Sequence, residues 1–347
     1  GFTSCPIVTH NSTFAHECFA FGESQSGASR AISYRYAMAA LMLLDSASMY
    51  FRSFYGVKGE VNAPDGTPVG AVRGFLDAVA TLVASRKPTH LVACWDDDWR
   101  PAFRVEAIPS YKAHRVVGGA AAASGGVAAE EVPSDLERQV PIIVEVLAAV
   151  GIARVGAIGC EADDVMGTLA TRAVTAGNVE SVDIVSGDRD LFQLVDDPST
   201  TPGGVAVRVL YTGRGMRNLE IVDSARLTEK YNVASGQAYA DMAALRGDPS
   251  DGLPGVPGVG EKTAAGLLAT YGNIAGVIEA ATTSDPRLSP TVRGKLIASL
   301  DYLAVAPRVV NVLRDAELPD HNDTLPRQPR DPETLDALAV RWGLESS

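Results

Sequence analysis

Acidic side chains follow four short apolar segments of this 347-residue sequence, a spacing that suits metal-ion chemistry. The apolar segments are typical of strands in an open α/β sheet, and the carboxyl ends of parallel strands meet along one edge of such a sheet. We therefore expect these carboxylates to converge. In chain order they are Asp45, then Asp96, Asp97 and Asp98, then Glu161, Asp163 and Asp164, and last Asp188 and Asp190.

Converging carboxylates need a cation between them. They repel one another, and their pKa values rise unless positive charge lies among them. Oxygen ligands suit Mg²⁺ or Mn²⁺, and no His or Cys is placed to recruit zinc. Two such ions clamp the attacking and leaving oxygens of a phosphodiester. Helix capping is the alternative interpretation; it fits a single acid such as Asp190 but does not explain paired acids at three segment ends.

A glycine- and proline-rich segment at residues 246–264 joins two predicted helices. Gly258 and Gly260 leave backbone N–H groups open ahead of a helix N-terminus, which favours phosphate binding, and Lys262 adds positive charge there. A Walker loop is the competing phosphate motif, but Glu261 separates Gly260 from Lys262 and no strand precedes the segment. A plain helix–helix turn is the remaining alternative.

Basic and aromatic residues alternate directly after the second acidic cluster. They are Trp99, Arg100, Phe103, Arg104, Tyr111, Lys112, His114 and Arg115. This mixture suits a single nucleic-acid strand, because cations contact phosphates while bases stack on aromatic rings. A solvated helix face is the alternative. Arg52, which also lies among aromatic residues, follows the first apolar segment.

Strands and helices alternate through the first two thirds of the sequence. Apolar runs predict strands at 41–44, 90–95, 152–158, 182–185 and 205–210, and helical periodicity predicts helices at 70–85, 134–149 and 161–176. This alternation is typical of a doubly wound α/β fold with a mostly parallel sheet. After about residue 220 only helices are predicted, at 222–231, 237–246, 262–271, 274–281 and 290–300. Asp331 as N-cap and Pro332 at the first helical position begin a last one.

The composition excludes several classes of protein and argues against one that the motifs favour. No apolar run approaches the ~18 residues of a membrane helix, and no secretory signal opens the sequence. The four cysteines show no metal-ligand spacing, so we expect reduced thiols in the cytoplasm. Lys and Arg number 30 against 42 Asp and Glu, and the net charge of −12 argues against a nucleic-acid partner.

Five blocks of the sequence resemble the bacterial 5′-nuclease (flap endonuclease) family, which includes the 5′→3′ exonuclease domain of bacterial DNA polymerase I and the phage flap endonucleases. The blocks come in the family's order, at residues 43–45, 103–115, 159–165, 186–194 and 247–264. The resemblance runs from about residue 41 to 315. It implies structure-specific, metal-dependent hydrolysis of phosphodiesters near the 5′ end of branched DNA, as in Okazaki-fragment maturation and repair.

The resemblance also implies two sets of metal ligands. The first is Asp45, an aspartate near 96, Glu161 and Asp163; the second is Asp164, Asp188, Asp190 and Asp248, with Asp251 alongside. Counting back from Phe103 favours Asp97 in the first set, whereas the strand end favours Asp96. We predict Asp96 and keep Asp97 as the alternative.

The resemblance assigns DNA contacts to two further regions. A helical arch that threads the 5′ single strand carries Arg104, Lys112 and Arg115, of which Lys112 and Arg115 position or stabilise the scissile phosphate. A helix–three-turn–helix motif at residues 255–264 grips the duplex backbone, with a K⁺ there in many members. The predicted DNA-binding residues are Arg52, Tyr111, Gly255, Gly258, Gly260, Lys262 and Thr263.

Four regions follow from composition and resemblance together. Residues 1–40 form a Ser/Gly/Thr-rich extension that we predict to be dispensable, with a docked N-terminal arm as the alternative. Residues 41–220 form a metal-dependent, PIN-like nuclease core with the arch at about 99–135, where the low-complexity stretch 118–129 predicts a mobile loop or weak helix. Residues 221–318 form an all-α DNA-binding domain with the helix–three-turn–helix at 247–270. Residues 319–347 are a C-terminal tail and helix.

The predicted protein is a monomeric, stand-alone 5′-flap endonuclease and 5′→3′ exonuclease that uses two or more Mg²⁺ or Mn²⁺ ions. It leaves a 5′-phosphate and a 3′-OH, and acts at the nucleoid with a polymerase and a ligase on flapped, in some cases RNA-primed, DNA. Ser46 departs from the family, where a Gly follows the first Asp.

Two alternatives remain: an inactive branched-DNA binder, which would lack metal carboxylates, and a small-molecule phosphohydrolase, which would need a DxD motif on the first strand, where Asp45-Ser-Ala lacks the second Asp. Binding by local basic clusters predicts salt sensitivity and weak affinity for DNA that lacks a junction.

Overall fold

A computed structural model describes residues 39–57, 59–116 and 132–345 of the chain. Residues 1–38 of the predicted extension and the low-complexity stretch at 118–129 lie outside these residues. Within the described part, no helix combines the length and the apolar character that a bilayer crossing requires.

A six-stranded sheet forms the centre of the molecule. Its strands are β1 (Ala40–Asp45), β2 (His90–Cys94), β3 (Ala153–Val155), β4 (Ser181–Ser186), β5 (Ala206–Tyr211) and β6 (Glu220–Val222), in the order β3-β2-β1-β4-β5-β6. The first five are parallel, and β6 runs antiparallel to β5. The predicted α/β fold with a mostly parallel sheet is therefore confirmed. Strand order reverses between β1 and β4, and at such a switch point a crevice opens beyond the carboxyl ends of the strands.

The apolar runs form central strands because both of their faces are buried. Along β1, Leu41 and Leu43 pack into one hydrophobic cluster, while Met42 and Leu44 pack into a second cluster on the other face. The pairing fixes the register, with Leu43 opposite Val92 of β2 and Ile184 of β4. The carboxyl ends of these three strands are therefore level with one another.

Six helices accompany the sheet: α1 (Ser46–Gly56), α2 (Gly70–Arg86), α3 (Ala102–Ala107), α4 (Ser134–Glu137), α5 (Val140–Val150) and α6 (Ala162–Ala176). The sequence analysis did not predict α1 or α3. The single helix predicted at 134–149 is wrong, because Pro141 in the first turn of α5 has no N–H with which to continue the helix from α4. The strand predicted at 152–158 ends early at Val155, and the chain turns at Gly159, where φ is +68°.

Between β6 and the C-terminal tail, the described residues form six more helices: α7 (Ser224–Tyr231), α8 (Gly236–Arg246), α9 (Glu261–Tyr271), α10 (Ile274–Thr282), α11 (Pro290–Ala298) and α12 (Leu300–Val310). The short β6 and the whole of α12 were not predicted. Helix α8 packs against the 3₁₀ turn Asp190–Leu194, which follows β4. The helical part of the chain is thus attached beside the carboxyl ends of the strands.

The predicted C-terminal tail packs on the α/β part of the molecule. Leu91 donates its N–H to the carbonyl oxygen of Asp323, and Leu325 donates its own to Thr89, so this segment runs antiparallel to the start of β2. Helix α13 (Pro332–Trp342) then begins as predicted, and the Asp331 side chain accepts from the N–H of Thr334 at 3.0 Å. Its buried face joins the second hydrophobic cluster through Leu335, Leu338 and Trp342.

Candidate metal centre

A cleft of about 600 Å³ opens at the carboxyl ends of the central strands. Seven described carboxylates line it, and all were predicted to be metal ligands: Asp45, Asp96, Glu161, Asp163, Asp188, Asp190 and Asp248. Of the described basic side chains, only Lys112, Arg115 and Arg189 line the same cleft. The acids therefore outnumber the cations that face them.

Two of the carboxylates are placed directly by strand ends. Asp45 is the last residue of β1, and its side chain accepts from the N–H of Ser48 at 3.0 Å and from Ser186 Oγ at 2.5 Å. Asp96 lies two residues beyond β2 and accepts from the N–H of Ala162 at 2.7 Å. Each carboxylate is tied to a neighbouring element, so its position is set by the sheet and the helix starts around it.

Glu161 and Asp163 belong to the start of α6. Glu161 is the N-cap residue and is nearly fully buried. The Tyr111 hydroxyl lies 3.0 and 2.9 Å from its two oxygens, and Lys112 Nζ lies 3.0 Å from Oε1. Asp163 stands two residues further on and faces the cleft. The helix start thus presents two acids to one space.

Of the other three acids, Asp188 and Asp248 lie on loops and Asp190 begins the 3₁₀ turn Asp190–Leu194. Asp188 and Asp190 follow β4, and the N–H of Asp190 donates to Asp188 Oδ1 at 2.9 Å. Asp248 begins the loop after α8 and accepts from the N–H of Ser250 at 2.8 Å. The helical part of the chain therefore contributes a carboxylate to a cleft built mainly by the sheet.

Burial and mutual repulsion raise the pKa values of five of these acids, Asp45, Asp96, Glu161, Asp163 and Asp190. Burial raises the pKa of Asp45 to about 6 and that of Asp96 to about 7. It also holds the pKa of Asp163 and that of Asp190 well above the ordinary value, with the Asp188 carboxylate adding to both. The cleft thus concentrates negative charge that its three cations do not offset. Every donor in this set is an oxygen atom, and the carboxylates repel one another. Such a site fits hard divalent cations such as Mg²⁺ or Mn²⁺.

Among the described residues, no three His, Cys, Asp or Glu side chains already have the arrangement of a metal site. The cleft carboxylates instead accept from hydroxyl, N–H and ammonium groups, as Glu161 does from Tyr111 and Lys112.

Three predicted ligands do not line the cleft. Asp97 is exposed and pairs with Arg154 at 2.5 Å, so Asp96 is the acid of this cluster that reaches the cleft. Asp164 is completely buried, and Arg104 holds both of its oxygens. Asp251 pairs with Arg115 at 3.0 Å. Adjacent acids in the sequence therefore have different environments, and metal binding by these three stays a prediction.

Two residues predicted to contact DNA are buried. Arg104 is 1% exposed, and its Nε donates to the carbonyl of Val309 at 3.1 Å. Tyr111 is 3% exposed and packs against Ile108 and Leu253. Neither side chain is exposed to solvent in this structure, and their DNA contacts stay a prediction. Lys112 and Arg115 from the same segment do line the cleft.

The predicted DNA-binding residues after α8 are of two kinds. Gly255 is buried with φ +64°, and a Cβ there would lie 2.3 Å from the carbonyl oxygen of Arg246, so this glycine serves the turn. Gly258 and Gly260 are exposed just before α9, and Lys262 and Thr263 are exposed in its first turn. These four form an exposed surface at the start of α9 and on the loop before it, which also carries the cleft residue Asp248. Arg52, by contrast, donates to the carbonyl of Gly213 at 3.4 Å and does not line the cleft.

Some functional positions escaped the sequence analysis. Arg189 lines the cleft, and its place between two predicted ligands was a usable signal. Tyr211 ends β5, so the strand-end rule that located the acids also applied to it. Lys295 reaches Gly258 so closely that a Cβ on this glycine would lie 2.5 Å from Nζ. No sequence signal connects these two residues, because α11 approaches the loop only in the folded chain.

Both parts of the chain match known families. Residues 40–232 match the family described as "5'-3' exonuclease, N-terminal resolvase-like domain", and residues 234–333 match "5'-3' exonuclease, C-terminal SAM fold". A 5'-3' exonuclease of Streptomyces coelicolor is 57% identical over 306 residues, covering 88% of this chain and 97% of the relative. A 5'-3' exonuclease of Mycobacterium tuberculosis is 50% identical over 313 residues, covering 88% and 95%.

Solved structures share the fold at low sequence identity. The T5 D15 protein, co-crystallized with metal ions, has a TM-score of 0.58 at 19% identity, covering 87% of this chain and 93% of its own. The catalytic core of Rad2 in complex with a DNA substrate has a TM-score of 0.53 at 17% identity, covering 88% of each chain. The sequence-based prediction of a 5′→3′ exonuclease is confirmed by the family matches and the identities: the chain belongs to the 5'-3' exonuclease family of nucleases.

Proposed function

We propose that this chain is a structure-specific 5′-flap endonuclease and 5′→3′ exonuclease that hydrolyses DNA phosphodiesters with bound divalent cations. The observation that carries the proposal is the cleft itself. Seven carboxylates from strand ends, a helix start and two loops face one space of about 600 Å³, with Lys112 and Arg115 at its border. Clustered acids beside fixed cations suit a substrate whose phosphate enters between a metal ion and a basic side chain.

The cation is Mg²⁺ or Mn²⁺, and we infer two or more ions. Asp45, Asp96, Glu161 and Asp163 would hold one, and Asp188, Asp190 and Asp248 would hold the other. When bound, the ions stabilise the charge that develops on the attacking and leaving oxygens of the phosphodiester. Oxygen-only ligands and the absence of His and Cys from the described lining favour these metals over zinc.

Lys112 and Arg115 bind the phosphate that is cut. The backbone of Lys112 adopts the left-handed conformation with φ +47°, and its N–H donates to the carbonyl of Asp251 at 3.0 Å. Arg115 donates to the carbonyl of Ser250 and to the carboxylate of Asp251. Both basic residues are thus braced by the loop after α8. They hold the 5′ strand against the carboxylates while water attacks, which leaves a 5′-phosphate and a 3′-OH.

The duplex lies along the start of α9. Exposed N–H groups around Gly258 and Gly260, together with Lys262, Thr263 and Lys295, bind phosphates of one backbone, and a K⁺ held by the same loop reinforces this contact. In the cell the protein removes primers and flaps in replication and repair, at the nucleoid in the cytoplasm, as a monomer that acts alongside a polymerase and a ligase.

A 5′-labelled flap substrate with Mn²⁺ tests the proposal. We expect cleavage at the junction, plus stepwise removal of nucleotides from a recessed 5′ end, both lost in the Asp163→Asn/Asp188→Asn variant. Asp315→Asn/Asp320→Asn, an equal charge change at two exposed positions outside the cleft lining, is the matched control and should cleave like the parent. No cleavage by the parent, or cleavage that survives the double substitution, overturns the proposal.

A further inference from the structure

Arg104 and Asp164 form a buried, two-armed ion pair beside the metal cleft. Nη1 lies 2.7 Å from Oδ2, and Nη2 lies 2.6 Å from Oδ1. Arg104 is 1% exposed and Asp164 is fully buried. Neither side chain lines the cleft, although Asp163, the preceding residue, does.

The carboxylate of Asp164 has its hydrogen-bonding capacity filled. Besides the two arms of Arg104, Oδ1 accepts from the N–H of Leu313 at 2.8 Å, and Oδ2 accepts from the N–H of Glu161 at 3.1 Å. An ionised carboxylate offers about four lone-pair sites. With four donors already in place, a metal ion could bind Asp164 only by displacing a buried arginine or a backbone N–H.

Arg104 completes a junction of three segments. Its guanidinium starts from α3 at the base of the predicted arch, reaches the start of α6 through Asp164, and donates from Nε to the carbonyl of Val309 near the end of α12. Nη1 also lies 3.4 Å from Glu161 Oε2. One ion pair thus joins the arch base, the acid-bearing helix and the helical part of the chain.

We propose that Asp164 is not a metal ligand but, with Arg104, forms a joint that positions Glu161 and Lys112 relative to each other. The capping box of α6 makes the connection, since Asp164 holds the N–H of Glu161 while Glu161 faces the cleft. Lys112 is carried by the segment that Arg104 anchors. The proposal rests on the proposed function, in which the cleft acids bind metal and Lys112 binds phosphate.

The test uses the full chain and separates metal binding from catalysis. Mn²⁺ binding is measured by calorimetry without DNA for the parent, Asp163→Asn and Asp164→Asn. We expect Asp164→Asn to bind the same number of ions as the parent and Asp163→Asn to bind fewer. Loss of an ion from Asp164→Asn alone would make Asp164 a ligand and overturn the joint. No Mn²⁺ binding by the parent would instead refute the proposed function.

A double variant without either charge avoids the misfolding that one unpaired buried charge could cause. Arg104→Met/Asp164→Asn removes both charges together, and Asn can still accept from Leu313. At a temperature where this variant is folded, we expect kcat on the flap substrate to fall about tenfold to hundredfold with KM changed less than about threefold, because a catalytic group is misplaced rather than lost. The single variants should be no better than the pair. An unchanged kcat would reduce Arg104 and Asp164 to a purely structural role.

The matched control is a second arginine–aspartate pair remote from the cleft. Arg208 lies 2.6 Å from Asp183 across β4 and β5, and Arg208→Met/Asp183→Asn makes the same chemical change there. It should leave kcat within about twofold. Hydrogen exchange of the metal-free protein gives an independent readout: residues 102–116 and 309–313 should lose protection in the Arg104/Asp164 variant only. Equal protection from hydrogen exchange in all variants would contradict the proposed joint of Arg104 and Asp164, even if no metal binds.

Discussion

The two borders of the cleft, one acidic and one basic, are built differently. On one border, acids stand at the ends of β1, β2 and β4, where the register of the parallel sheet decides their position. On the other, residues 100–116 carry Arg104, Lys112 and Arg115, and side-chain contacts with distant segments decide which of them reach the cleft. Arg104 is buried against Asp164, whereas Lys112 faces the carboxylates. A strand end places a side chain by backbone geometry alone; an irregular segment places it by its partners.

Chelation gives the largest expected effect and concerns the strand-end border. EDTA should abolish cleavage, and excess Mn²⁺ should restore it, because the repelling acids cannot act on a phosphate without a cation. Mn²⁺ at a hundredfold excess over its Kd should also stabilise the folded parent by about 2.7 kcal/mol for each ion bound. Thermal unfolding with and without Mn²⁺ checks this. Cleavage that continues in EDTA would show that the strand-end carboxylates do not act through a bound cation.

Asp45→Asn should be the most damaging single substitution on the same border. Asp45 is buried at the centre of the sheet, and we expect kcat/KM to fall by about a thousandfold or more, which corresponds to about 4 kcal/mol of transition-state stabilisation. The metal-free variant should unfold at or above the parent's temperature, because the change removes one of several repelling charges. Loss of the fold instead of loss of activity would make Asp45 structural.

Lys112→Ala tests the other border, and we expect kcat/KM to fall about a hundredfold, in the range for a lost donor to a developing charge. Arg115→Ala should cost about tenfold, because Arg115 is more exposed and is shared with Asp251. His114→Ala is the control in the same segment, being exposed and outside the cleft lining. Equal losses in all three would mean that the segment matters only for folding.

The same contrast explains what the sequence could predict. The apolar runs of β1, β2 and β4 locate their own ends, and parallel pairing then brings Asp45, Asp96 and Asp188 together without knowledge of any side-chain contact. Helices with clear caps were equally accessible, as Asp331 before α13 shows.

Other features depend on contacts between distant parts of the chain. The burial of Arg104 depends on Val309, which is 205 residues away, and no local pattern signals that contact. Asp164 carries the same side chain as Asp163 and lies one position further along α6. Its side chain faces a different side of the helix start, where it accepts from the N–H of Leu313 and from Arg104. Helix α1 was not predicted, although its aromatic residues Tyr50, Phe51, Phe54 and Tyr55 recur at the i, i+4 spacing of a helix.

Lys262→Gln should have a small effect that separates binding from chemistry. We expect KM to rise about threefold with kcat unchanged, and the slope of log binding constant against log salt to decrease in magnitude by about 1, as for one lost phosphate contact. Lys87→Gln, an exposed lysine at the amino end of the sheet, should change neither quantity. An unchanged salt slope in the Lys262 variant would remove α9 from the DNA interface.

Asp97→Asn should have the smallest effect and tests the strand-end rule most directly. Asp97 pairs with Arg154 at the surface, and such pairs contribute about 0–1 kcal/mol to stability, so activity should change less than about twofold. Asp96→Asn, one residue earlier, should reduce kcat/KM about a hundredfold or more. The two variants differ only in which of the two adjacent aspartates loses its charge. The ratio of their kcat/KM values therefore shows which residue of the segment 95–100 faces the cleft. If Asp97→Asn were the damaging change, Asp97 rather than Asp96 would face the cleft. The end of β2 would then not place its acid by backbone geometry.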